Sequence, residues 1–158
     1  MTKTPPNLFL DSNVFVETVL SYSENAKTIF TLASSGLVNI NTCEYVIHEV
    51  KNVIQMKITN PADQQQTLND LQLLIQRTRV LIHPNPSSQD VLNTLQLYLP
   101  LMRHKADIPV LTAALLVNPK TDVILSGNRN HFNDQVAQKC GIPIYSCGEF
   151  LSKLDKYL

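Results

Sequence analysis

Five short apolar runs, rich in β-branched residues, alternate with segments of helical character. This alternation constrains the fold more than any other feature of the chain. The runs are Leu8–Leu10, then "LVNIN" (37–41), "RVLIHP" (79–84), "TDVILSG" (121–127) and "GIPIYSC" (141–147). Each suits a strand of a parallel sheet covered on both faces. The segments between them carry helix signals. Gly36 stops the helix of "ENAKTIFTLASSG", and Asn60 and Pro61 cap and open "NPADQQQTLNDLQLLIQR". A serine precedes "SSQDVLNTLQLYL" and Pro100 ends it, while Asp107 stands as N-cap of "ADIPVLTAALLV" with Pro109 in its first turn. "HFNDQVAQKCG" and "CGEFLSKLDKYL" supply the last two helices. Strands alternating with helices predict an α/β fold with a mostly parallel sheet. The 158 residues carry no repeat, low-complexity tract or linker, so residues 1–158 read as a single domain.

Charge and composition narrow the function classes. The formal net charge is zero, so a nucleic-acid partner has to be held by a local patch rather than by an overall basic field. No apolar run approaches the roughly 20 residues that span a bilayer, and "MTKTPPN" lacks the apolar centre of a signal peptide. Cys43, Cys140 and Cys147 are odd in number and lack metal-site spacing, so they read as reduced thiols of a cytosolic protein.

The acids carry the chemistry. Asp11 ends the first apolar run, where an unpaired charge is costly. It either caps the helix that follows or sits where a cation compensates it. In open parallel sheets ligands collect at the carboxyl ends of strands, near the reversal of strand order. "SGN" (126–128) follows another strand, so Asp11, Ser126 and Asn128 share one crevice if the two strands are neighbours. For Asp107, helix capping is the plain alternative to a role in the site. In "CEYVIHEVKNVIQMK", residues Val46, Ile47, Val50, Val53 and Ile54 form the buried stripe. At about 100° per residue Glu49 falls at the border of that stripe, as either a solvated flank or an acid reaching into a cleft. Hard oxygen donors of this kind suit Mg²⁺ or Mn²⁺ better than Zn²⁺. A cation held there polarises a phosphodiester and lowers the pKa of a bound water.

The segments "LFLDSNVF", "YVIHEVKNV", "HKADIPVLTAAL", "DVILSGNRNHF" and "GIPIYSCGEFL" fall in the order of a PIN domain. The resemblance covers essentially the whole chain, and the last three segments look most like PIN toxins of toxin–antitoxin systems, related to the VapC nucleases. It implies a three-layer α/β/α sandwich around a central parallel five-stranded sheet, order 3-2-1-4-5. It also implies a metal-dependent ribonuclease, with an antitoxin as protein partner and often a homodimer. By position, Asp11, Glu49 and Asp107 match the family's metal-binding acids. Ser126 matches the hydroxyl that orients Asp11 or a water. Asn128 stands where a fourth acid is common. Asp134 lies six residues further on and is a candidate to replace that charge or to decorate its helix.

Arg103, His104 and Lys105 precede Asp107, and Arg129 and His131 follow Asn128. Arg103, Lys105 and Arg129 are the candidate phosphate contacts for RNA, against a plain reading as surface charge. His48 and His83 lack metal partners at recognisable spacing and read as structural, and the scattered tyrosines Tyr22, Tyr45, Tyr98 and Tyr145 form no stacking platform. Surplus leucine in "QQQTLNDLQLLIQ" and "VLNTLQLYLPLM" permits an interface. Two rival readings stand beside the nuclease. A haloacid-dehalogenase-type phosphatase also opens on a strand and D-x-N, but needs a late acid pair that is missing. A non-catalytic PIN-like module that binds RNA or protein is opposed by the intact acid trio.

Overall fold

A computed structural model describes residues 3–102 and 104–158. Its sheet has five strands, β1 (Asn7–Leu10), β2 (Asn39–Cys43), β3 (Leu81–His83), β4 (Val123–Leu125) and β5 (Ile144–Tyr145), in the order β3-β2-β1-β4-β5. Every pairing is parallel. The helices are α1 (Ser12–Val19), α2 (Glu24–Ser34), α3 (Glu44–Lys57), α4 (Pro61–Arg77), α5 (Ser88–Tyr98), α6 (Ile108–Leu116), α7 (Asp134–Cys140) and α8 (Cys147–Ser152). They flank the sheet and give the three-layer α/β/α arrangement that the resemblance implied. The central strands are sealed: Leu8, Phe9 and Leu10 of β1 and all of β4 are fully buried.

Strand starts move where a turn takes the residues first. Leu37 was expected to open β2, but its N–H closes onto the Leu32 carbonyl at 2.9 Å, with Gly36 left-handed at φ +73. The chain therefore becomes extended only at Asn39, whose N–H donates to the Pro6 carbonyl. Gly141, also at φ +73, ends α7 in the same way and delays β5 to Ile144. Arg79, at φ +53, sits in the turn before β3.

β3 departs from the expectation of strands covered on both faces. It is an edge strand, with Leu81 50% and Ile82 40% exposed. Leu73 of α4 and Leu92 and Leu97 of α5 are exposed as well, so the leucine surplus lies on the surface. The expected caps are present at Asn60, whose side chain accepts from Ala62 N and Asp63 N, and at Ser87, which accepts from Asp90 N. All three cysteines are free thiols. No helix among the described residues is long and apolar enough to cross a membrane.

Candidate active site

The site begins at the β1–β4 seam. Leu10 pairs with Leu125, so the next residues of the two strands, Asp11 and Ser126, emerge side by side. The Asp11 N–H donates to the Leu125 carbonyl at 3.0 Å, and Ser126 N–H donates to the Tyr145 carbonyl of β5. Both residues are buried. Asp11 takes one of the two roles that sequence left open, the helix cap: Oδ1 accepts from Ser12 N at 2.8 Å, while Oδ2 accepts from Ser126 Oγ at 2.8 Å. The same hydroxyl accepts from Asn128 N at 3.1 Å. Asn13, one residue into α1, completes the cluster. Its Oδ1 accepts from Gly127 N at 2.9 Å, and its Nδ2 lies 3.4 Å from Ser126 Oγ and 3.5 Å from Asp11 Oδ2.

Asp11 is an uncomfortable carboxylate. Burial pushes its pKa up to about 6, against the hydrogen bonds from Ser126 and Ser12, and the charges of Glu49 and Asp107 push the same way. Those two repulsions mean that the three acids share one field, although they come from three different parts of the chain.

Asp107 does not cap. It lies in a 3-10 turn (Lys105–Asp107) before α6, in right-handed helical conformation, and its side chain makes no capping bond. The conformation explains the loss of the expected cap, because an N-cap residue normally has extended backbone. Its carboxylate instead faces His131, with Oδ2 2.6 Å from Nδ1. The contact is short but not aligned as a hydrogen bond, so Oδ2 is buried and lacks a hydrogen-bond partner among the described residues. Burial raises the Asp107 pKa against the pull of His131 and His104. His131 is held from two further sides. Asn128 Nδ2 lies 2.7 Å from the same Nδ1, and the His104 ring packs on the His131 ring with centroids 3.9 Å apart.

Glu49 is exposed on α3, beside the buried Val46 and Val50. Arg129 is committed to its own loop. Nη1 donates to the carbonyls of Phe132 and Ile144 at 3.0 and 2.7 Å, and the guanidinium pairs with Asp134 at 2.6 Å and Glu149 at 3.8 Å. Asp134 is thereby tied to Arg129 on the surface of α7, 84% exposed. Lys105 is exposed. Arg103 lies outside the described residues. Asn13 and the Asp107–His131 contact were not singled out from sequence. The i+2 spacing of Asn13 from Asp11 was visible, but only the β4 loop gives its amide something to hold.

Hard oxygen donors with one carboxylate oxygen buried and lacking a hydrogen bond fit a divalent cation in chemistry. In the described residues, however, no three acids, histidines or cysteines stand close enough together to hold one.

The strand order and layers are those of a PIN-like domain. Three solved structures share this fold. A chain of VapBC2 from Rickettsia felis, bound to a DNA fragment from the promoter, superposes with a TM-score of 0.63 at 11% identity, over 89% of this chain and 98% of that one. DNA-bound VapBC from Salmonella typhimurium gives 0.59 at 18% identity, and VapBC-1 from nontypeable Haemophilus influenzae 0.56 at 18%; each match covers 90% of this chain and 98% of the other. No protein-family model and no curated protein sequence matches the chain.

Proposed function

We propose that this chain is a Mg²⁺- or Mn²⁺-dependent endoribonuclease and the toxin of a toxin–antitoxin pair. The observation that carries the reading is the buried Asp11 carboxylate, bonded to Ser126 where the carboxyl ends of β1 and β4 meet, with the charges of Glu49 and Asp107 adding to the rise in its pKa. A buried carboxylate with two further acids raising its pKa is a poor arrangement for stability and a good one for a cation. Asp11, Glu49 and Asp107 would hold the ion, with Asn128 supplying a neutral oxygen. A bound ion would supply Lewis acidity toward the phosphodiester and lower the pKa of a water.

The chain's own groups do the rest. Ser126 fixes the Asp11 carboxylate through its hydroxyl, and Asn13 fixes the Gly127 backbone against α1. Lys105, exposed two residues before Asp107, is a cation open to RNA phosphates. Arg129 serves binding by holding the loop that carries Asn128 and His131. The fold likeness to VapBC structures supports an antitoxin as protein partner, and the exposed leucines of α4 and α5 offer surface for it or for a second copy in a cytoplasmic protein.

The open spacing of the acids favours one second reading, a PIN-like module that binds RNA without cutting it. A single assay separates the two. Purified protein is incubated with mixed RNA and DNA substrates, with Mn²⁺, with Mg²⁺ and with chelator. Cleavage of RNA that chelation stops supports the nuclease. Binding without cleavage in every arm supports the module.

A further inference from the structure

We propose that His131 is a latch on Asp107: in the cation-free protein its ring covers the carboxylate oxygen that a divalent ion would take, and the ion binds only when the ring leaves. The inference rests on the metal-dependent reading above and adds what controls that site.

Three observations meet at one atom. Nδ1 of His131 stands 2.6 Å from Asp107 Oδ2 and 2.7 Å from the Asn128 amide nitrogen. An imidazole nitrogen either donates or accepts, so it cannot satisfy a carboxylate oxygen and an amide N–H together. A neutral ring with its proton on Nδ1 serves Asp107 and leaves the amide opposed; a bare Nδ1 serves the amide and leaves Oδ2 facing a lone pair. Either way the contact is a compromise, and Oδ2 is left without an aligned bond. No ring charge is required.

The ring is nevertheless held in place. The His104 stack lies on its face, and its backbone N–H donates to the Asn128 carbonyl at 3.2 Å. Phe132, buried beside it, anchors the turn. A well-positioned group with a poorly satisfied contact is suited to being displaced by something better. Apparent affinity for an ion is the intrinsic affinity multiplied by the fraction of molecules in the open state.

The test is calorimetric titration of Mn²⁺ into the wild type and three variants, with folding checked by thermal melting. His131→Ala removes the latch and is expected to bind about tenfold tighter, the gain when about nine in ten molecules are closed. His131→Asn keeps an N–H donor close to the place of Nδ1 and is expected to stay near wild type. His104→Ala loosens the ring while leaving the His131 Nδ1 contact to Asp107 in place, and is expected to gain about threefold, the scale of a ring stack. If His131→Ala does not fold, the His104→Ala result decides. Equal or weaker binding by the variant that decides overturns the latch while leaving the metal-dependent reading intact. Asparagine as tight as alanine also overturns it, since ring bulk and not the contact would then be the obstacle. No Mn²⁺ binding by the wild type or any variant overturns the latch and the metal-dependent reading together.

Discussion

Ser126 Oγ donates to Asp11 Oδ2 at 2.8 Å across the β1–β4 seam, joining residues 115 positions apart in the chain. This bond works against the burial of Asp11, because it stabilises the charged carboxylate. Ser126→Ala should therefore raise the Asp11 pKa beyond about 6. It should also cost about 1–3 kcal/mol, because the Asn128 N–H loses its acceptor in a buried site. An NMR titration of the Asp11 carboxyl carbon and a urea melt read the two effects.

Asp11→Asn should abolish cleavage and stabilise the cation-free protein. The folded-state pKa, about 6, lies above the ordinary 3.8, so the folded state binds the proton more tightly than the unfolded chain. Stability from this group is therefore highest below about pH 4 and falls as pH rises through 6. The penalty at neutral pH is about 1–3 kcal/mol, and asparagine removes it. Melting curves at pH 5 and pH 7 in chelator check this: the variant should gain most at pH 7 and less at pH 5. A large loss of Tm at pH 7 would make Asp11 a structural residue.

Arg129→Ala and Lys105→Ala should separate folding from binding. Arg129 holds the carbonyls of Phe132 and Ile144, so its loss should cost about 1–3 kcal/mol, carried by those bonds. Its pair with exposed Asp134 adds little in comparison. Lys105 is exposed, so its loss should leave stability unchanged and lower the slope of log affinity for RNA against log salt by about one. Denaturant melts and RNA titrations at several salt concentrations give both readouts.

Asn128→Asp should tighten Mn²⁺ binding. The carboxylate adds a hard anionic oxygen, and it competes with Asp107 for His131 Nδ1, 2.7 Å from the present amide. Calorimetric titration of both proteins measures the change. Equal affinities would place the side chain of residue 128 outside the reach of the cation.

The α/β class was legible because short apolar runs alternate with well-capped helices, whereas strand order, and with it the meeting of Asp11 and Ser126, followed from the family resemblance. Strand starts were not legible, because Gly36, Arg79 and Gly141 carry turns into segments whose composition reads as strand. The role of Asp107 was legible as position and not as contact. An acid before a helix suggests a cap, and only the turn after β4 brings His131 against it. Arg129 shows the same limit. A cation beside a crevice suggests phosphate, yet the chain's own carbonyls and acids claim it first.

The β1–β4 seam has a consequence for the order of synthesis. Asp11 is made at the end of β1, while its hydroxyl partner arrives only with β4, 115 positions later. A nascent or truncated chain that stops before β4 has the first acid and the capped start of α1, but no Ser126, no Asn128 and no edge on which β5 can pair. Since long-range parallel pairing must wait for both partners and is slow to form, any activity of this site requires β4 and the loop after it, and no fragment that stops before β4 can carry it.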